Sequence, residues 1–195
     1  MRRVAVALVH FPVLDRSGQI VTTAITNLDL HDIARSAHTF GVERFYAVHP
    51  IAAQRELAQR VRDHWVFGSG KRRIPDREGP MTALQIVSTL QEAEAHLGGG
   101  APVERWVTSA QRGAAVVSHG EARLRLASEG PPVLLVFGTG WGLAPSVVAE
   151  AALHLAPILS PRPDGFNHLS VRAAAAIFFD RLLGVAEGRG GGVTP

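Results

Sequence analysis

Continuous apolar runs rich in valine alternate along this chain with stretches whose apolar positions recur every three to four residues. The runs in RRVAVALVHF, VERFYAVHP, ALQIVSTL, ERWVTSAQ, PPVLLVFG and APILS predict strands. Runs as uniformly apolar as PPVLLVFG belong inside a parallel sheet, where both faces are covered. NLDLHDIARSAHTFG predicts a helix: Leu30, Ile33, Ala34, Ala37 and Phe40 share a face, and Gly41 suits the stop. Helices are also predicted over IAAQRELAQRVRDHW, LQEAEAHLGGG, SHGEARLRLASEG, APSVVAEAALHL and NHLSVRAAAAIFFDRLLG. Ser118 with Glu121 forms a candidate capping box, Pro145 suits a first turn, and Gly184 suits a last one. GSGKRRIPDREGP, Gly68 to Pro80, has no apolar period and predicts a mobile surface loop. The glycine-rich end, residues 186–195, predicts a disordered tail. Strands alternating with helices over residues 1–185 imply a single α/β domain, its mostly parallel sheet covered by helices on both faces.

Composition narrows the class. A chain of 195 residues suits one domain and is short for two. No apolar run reaches membrane-spanning length, so no membrane partner is expected. The stretch after Arg2 and Arg3 is short and contains His10 and Pro12, so it predicts a buried first strand and not a signal peptide. Absence of cysteine excludes disulfides and thiolate metal sites and fits a cytoplasmic protein. The nine histidines show no metal-ligand spacing, and no metal is expected. Net charge is +3, and Lys71 is the only lysine among arginines; a nucleic-acid partner is allowed by this charge but not demanded.

The candidate chemistry gathers in VFGTGWGLAPSVV, where Gly138, Gly140 and Gly142 alternate directly after an apolar strand. A tight turn is the plainest explanation. Three such glycines favour close approach by a ligand or by another backbone segment. A P-loop is rejected: in GSGKRR, Arg72 stands where the hydroxyl belongs. A dinucleotide loop needs a third glycine where Leu143 stands, and it belongs after the first strand. An ordinary Rossmann methyltransferase loop leaves too little chain behind it. The remaining reading combines VTSAQ, FGTGWGLA and the segment from Ala156 to Ala176, each at or beyond the carboxyl end of a predicted strand. In a parallel sheet those ends line one edge, where three loops can enclose a small polar molecule.

At this point the chain resembles the SPOUT methyltransferases, the trefoil-knotted RNA methyltransferases, and within them an uncharacterised bacterial subgroup. The segment PIL followed by NHLSVRAAAAI is similar to the family's N-L-S-x-A-x-A helix start, and the glycine loop matches in type and position. The resemblance implies a C-terminal deep trefoil knot and S-adenosyl-L-methionine held bent within it. Carried over by position, it implies cofactor contacts from Thr108, Ser109 and Ala110. Phe137, Gly138, Thr139, Gly140, Trp141, Gly142 and Leu143 would supply the second set, and Ile158, Leu159, Asn167, Leu169 and Ser170 the third. NLDLHDIARSAHTFGV is similar to the first motif of the ribose-methylating branch, which implies catalytic roles for Asn27 and Arg35. The family also implies a homodimer built on the last helix.

Methyl transfer from a sulfonium is an in-line displacement in which the protein positions the nucleophile and manages its proton. For a ribose hydroxyl, Arg35 is the candidate cation; for a ring nitrogen, Asp164 is the candidate proton acceptor. Asn167 and Ser170 are equally good helix caps. Trp141 suits a stacked ligand or a subunit contact. Lys71, Arg72, Arg73 and Arg77 suit an RNA backbone or plain solvation. The expectation is a methyltransferase acting on tRNA or rRNA. The alternatives are a non-catalytic RNA-binding or regulatory protein that keeps the pocket and, more weakly, a nucleotide-dependent oxidoreductase.

Overall fold

The apolar run Val4–Val9 forms strand β1 and is buried along its whole length. In the structure, a computed structural model that describes residues 1–109 and 116–185, this strand is central to a six-stranded sheet. The other strands are β4 (Arg44–Val48), β5 (Leu84–Val87), β6 (Glu104–Val107), β7 (Val133–Gly138) and β8 (Leu153–His154). The order is β5-β4-β1-β7-β6-β8, and the ladders are parallel. Val9 sits opposite both Val48 and Gly138, while Val107 sits opposite Val136 and His154. The carboxyl ends therefore share one edge, as expected of ligand-binding parallel sheets.

Alternation along β1 divides the core in two. Val4, Val6 and Leu8 pack with Ile33 and Ala37 of α1 (Asn27–Thr39), with Leu126 of α6 (His119–Ala127), and with Phe178 and Phe179 of α8 (Val171–Leu183). Ala5, Ala7 and Val9 pack with Leu90, Ala93 and Leu97 of α5 (Leu90–Gly98) and with Val147 of α7 (Pro145–Ala149). Both faces are thus covered, and small residues on the second face let α5 lie close. The α6 capping box forms as expected: the Glu121 N–H donates to Ser118 Oγ, and the Glu121 carboxylate accepts from the Ser118 N–H.

The structure overturns two expectations. Residues 68–82 are not a loop. They form α3 (Ser69–Arg73), a 3₁₀ turn and α4 (Glu78–Thr82), which follow α2 (Ala52–Val66). Gly70 is buried so tightly that a Cβ there would lie 2.7 Å from the Trp65 ring. Arg77 stacks on the same ring at 5.0 Å, and Met81 is buried. The second correction concerns the last strand: the predicted helix APSVVAEAALHL ends at Ala149, and the strand is Leu153–His154, inside that stretch, and not APILS. Its hydrogen bonding runs on through Leu155 N–H to Val107 O and Ala156 N–H to Val117 O, both 2.9 Å, and stops at Pro157, which has no N–H to give.

A small hairpin went unpredicted. β2 (Val13–Leu14) pairs antiparallel with β3 (Ile20–Val21), closed by Asp15, whose carboxylate accepts from the Ser17 and Gln19 N–H groups. Among the described residues no helix is long and apolar enough to cross a membrane. The predicted tail at 186–195 lies outside the described residues. A knot depends on a chain path that includes residues 110–115, which also lie outside them.

Candidate functional site

Loops beyond β6, β7 and β8 meet the amino end of α1 around a cavity of about 640 Å³. Thr108 and Ser109 come from the first loop, and residues 137–142 from the second. Ile158 and residues 167–170 come from the third, continuing into the first turns of α8. Ala24, Thr26 and Asp29 close the side toward α1. Phe137, Ile158, Leu169 and Phe178 contribute apolar surface, and the rest is largely main chain and short polar side chains. The volume falls within the range of small-molecule pockets, about 300–1,000 Å³.

Each alternating glycine has its own reason. A Cβ on Gly138 would lie 2.7 Å from the Leu143 nitrogen, so this position lets the loop fold back on its own strand. Gly140 has φ +61°, and a Cβ there would lie 2.7 Å from the Leu14 carbonyl oxygen. That position lets the β2–β3 hairpin close on the loop, sealed by the Trp141 N–H donating to Leu14 O at 2.8 Å and the Leu14 N–H to Gly142 O at 2.9 Å. Gly142 has open space around it and φ +113°, a conformation open to glycine almost alone. Two of the three therefore serve chain against chain, and the third serves the turn.

A buried polar chain holds the loop from below. Thr139 Oγ1 donates to Val9 O at 3.1 Å, so in its contact with Thr23 the Thr23 hydroxyl is the donor. Thr23 then accepts from His10 Nδ1–H at 3.1 Å. His10 is wholly buried, its Nε2 has no partner among the described residues, and burial pushes its pKa down to about 4, so the ring is neutral. His49 braces the arrangement: Nδ1 accepts the Ile51 N–H at 3.1 Å, and Nε2–H donates to Thr23 O at 3.0 Å. Burial lowers its pKa as well.

The third loop is shaped by Asn167 and Ser170. Asn167 Nδ2 donates to Ile158 O at 2.9 Å, and Ser170 caps α8 by accepting the Ala173 N–H. Of the two candidate caps, only Ser170 caps this helix; Asn167 instead ties its loop to itself. Trp141 is 51% exposed at the rim, edge-on to His168 at 5.7 Å.

The other sequence-predicted residues lie elsewhere. Leu143 is buried in the second core, and Leu159 is exposed outside the lining. Ala110 lies outside the described residues. Asn27 opens α1 as an exposed residue beside the lining; the cap itself is Thr26. Asp164 is exposed and clamped by the Arg162 guanidinium, which holds its carboxyl below the usual range. The structure does not bring it to the cavity. Arg35 lies on a neighbouring groove of about 460 Å³ with Asp32, Ser36 and Thr39. Groove and cavity share Ser170 and Arg172.

Sequence reasoning missed Asp29 and Arg172. Arg172 Nη1 donates to Asp29 Oδ1 at 3.2 Å, and its Nε lies 3.5 Å from Asp32 Oδ2. Asp29 also accepts from Thr26 Oγ1 at 2.6 Å. The available signal was weak: an acid in the first turn of a helix is ordinary dipole complementarity.

The chain matches the family described as SAM-dependent RNA methyltransferase over residues 3–184. It is 41% identical over 189 residues to a protein of Oleidesulfovibrio alaskensis named tRNA (guanine-N(1)-)-methyltransferase, covering 95% of this chain and 43% of that one. The chain thus spans less than half the length of that relative. An uncharacterised protein of Aquifex aeolicus is 35% identical over 183 residues, covering 92% of this chain and 88% of that one. Among solved structures, a putative methylase family protein from Neisseria gonorrhoeae superposes with TM-score 0.63 at 17% identity, covering 100% of this chain and 87% of that one. The SpoU methyltransferase AviRb from Streptomyces viridochromogenes, in complex with AdoMet, superposes with TM-score 0.53 at 14% identity, covering 92% of this chain and 56% of that one. At these identities the two likenesses establish a shared fold.

Proposed function

Since the chain belongs to the family of S-adenosylmethionine-dependent RNA methyltransferases, we propose that it transfers a methyl group from S-adenosylmethionine to RNA, with tRNA the first substrate to try. The observation that carries this reading is the cavity at the carboxyl edge of a parallel sheet, walled by three loops and the amino ends of α1 and α8. Its chemistry fits the cofactor. Apolar faces at Phe137, Ile158 and Leu169 suit a purine and its ribose, main-chain groups of the loops suit the heteroatoms, and the Asp29 carboxylate suits a cation. The cofactor supplies an activated methyl group on a sulfonium.

The chain's own residues do the rest. The Gly138–Gly142 loop and the Asn167–Ser170 segment hold the adenosyl end in place. Arg35, in the groove that meets the cavity at Ser170 and Arg172, orients the incoming nucleotide through its phosphate and stabilises the developing negative charge. The exposed Arg72 and Arg73 of α3 extend a basic surface for the RNA backbone. A second copy packing on the exposed side of α8 and the Trp141 rim would complete the groove. The protein acts in the cytoplasm, where its substrate is.

The test is methyl incorporation into RNA from a strain lacking the gene, with wild type and R35A side by side. Wild type should label tRNA. R35A should lose transfer by at least about a hundredfold while calorimetry shows its cofactor affinity unchanged. A wild-type protein that binds the cofactor yet labels no RNA would point to the non-catalytic reading.

A further inference from the structure

We propose that Asp29 makes the cofactor cavity selective for the cationic methyl donor over its uncharged-sulfur product. This rests on the cavity being the S-adenosylmethionine site. Asp29 is the one carboxylate among the described lining residues, and it is 8% exposed. It is held rigidly on the first turn of α1: its N–H donates to Thr26 Oγ1 at 3.1 Å, and its Oδ2 accepts from the same hydroxyl at 2.6 Å.

The charge on Asp29 is only partly offset. One guanidinium, Arg172, serves two carboxylates, Asp29 at 3.2 Å and Asp32 at 3.5 Å. Arg35 is the next cation, and it lies on the groove side with Asp32, outside the cavity lining. His10 lies toward the Asp29 charge and is neutral. His168, at the rim, is engaged with the Trp141 and Phe166 rings. A buried negative charge in the wall favours a positive sulfonium over a neutral thioether. The methionine ammonium and carboxylate are common to donor and product, so their contributions cancel in the ratio of the two affinities. The functional consequence is relief from product inhibition: the spent cofactor is held more weakly than the fresh one.

Calorimetry at pH 8 tests this with S-adenosylmethionine, S-adenosylhomocysteine and sinefungin, in which an amino-bearing carbon replaces the methylated sulfur. Wild type should bind the methyl donor and sinefungin more tightly than S-adenosylhomocysteine. In D29N that preference should shrink by at least about tenfold, with an upper bound of roughly a thousandfold for two unit charges about 4 Å apart at the effective dielectric of a protein. R172Q should move the ratio the other way, and it carries the test if D29N does not fold. An unchanged ratio in D29N, or a shift of the same sign in both variants, overturns the assignment of Asp29 while the cofactor reading stands. A wild type that binds none of the three overturns both.

Discussion

Replacing Gly140 with alanine puts a methyl group where the hairpin backbone already is. The new Cβ would lie 2.7 Å from the Leu14 carbonyl oxygen, and φ there is +61°. Holding an L-residue in the left-handed region costs about 1–2 kcal/mol. Relieving the contact means withdrawing the Leu14 carbonyl, which also accepts the Trp141 N–H at 2.8 Å, and loss of that bond costs about 1 kcal/mol. The sum is about 2–3 kcal/mol, a fall of roughly 5–10 °C in melting temperature for a chain of this size. The displaced segment lines the cavity, so S-adenosylmethionine affinity should fall with it. Thermal melts and calorimetry of G140A report both. G120A in α6 is the control: nothing lies within 4 Å of its Cβ position, and alanine there should be neutral or stabilising. A G140A protein that melts with wild type and binds the cofactor normally would refute the claim that hairpin closure shapes this loop.

S118A should cost about 1 kcal/mol in urea denaturation, because it removes one half of the α6 capping box and leaves the Glu121 N–H without its acceptor. Stability should also fall on acidification. His10 has a folded pKa of about 4 against an ordinary 6.5, so the unfolded chain binds the proton first; its contribution is complete above pH 6.5 and lost as pH falls toward 4, about 3 kcal/mol in all. His31, His49 and His119 are shifted in the same direction by burial, and H10Q should flatten only part of the slope measured by urea titration between those pH values. R72A/R73A should weaken RNA binding and lower its salt dependence by about two units of slope, with cofactor affinity unchanged by calorimetry.

The elements that were legible beforehand are those whose signal is local. Val4–Val9 and Val133–Gly138 are apolar without interruption because both faces of a parallel strand are covered, and the structure buries them that way. The Ser118–Glu121 box is a contact between residues three apart, so spacing alone reveals it. Segment 68–82 misled because its three glycines and two prolines suggested a loop. The force that makes it helical is Trp65, a residue from the preceding helix against which Gly70 and Arg77 pack. The β2–β3 hairpin left no pattern because two residues per strand are too few to show a period.

The sequence by itself determined an alternating α/β chain, the Ser118–Glu121 cap of α6, and the three loops that belong at one edge of the sheet. Tertiary structure decided what each loop residue does there. Gly140 is small for the sake of Leu14, far away in the chain, and Thr139 is fixed through Thr23 to a neutral His10. Asp29 lines the cavity and Asp164 is exposed outside it, although both are acids in segments the sequence placed near the site. The physical reason is range: hydrophobic period and capping act within a few residues and are written in local order. Close approach, desolvation and charge balance depend on groups that meet only once the sheet has assembled.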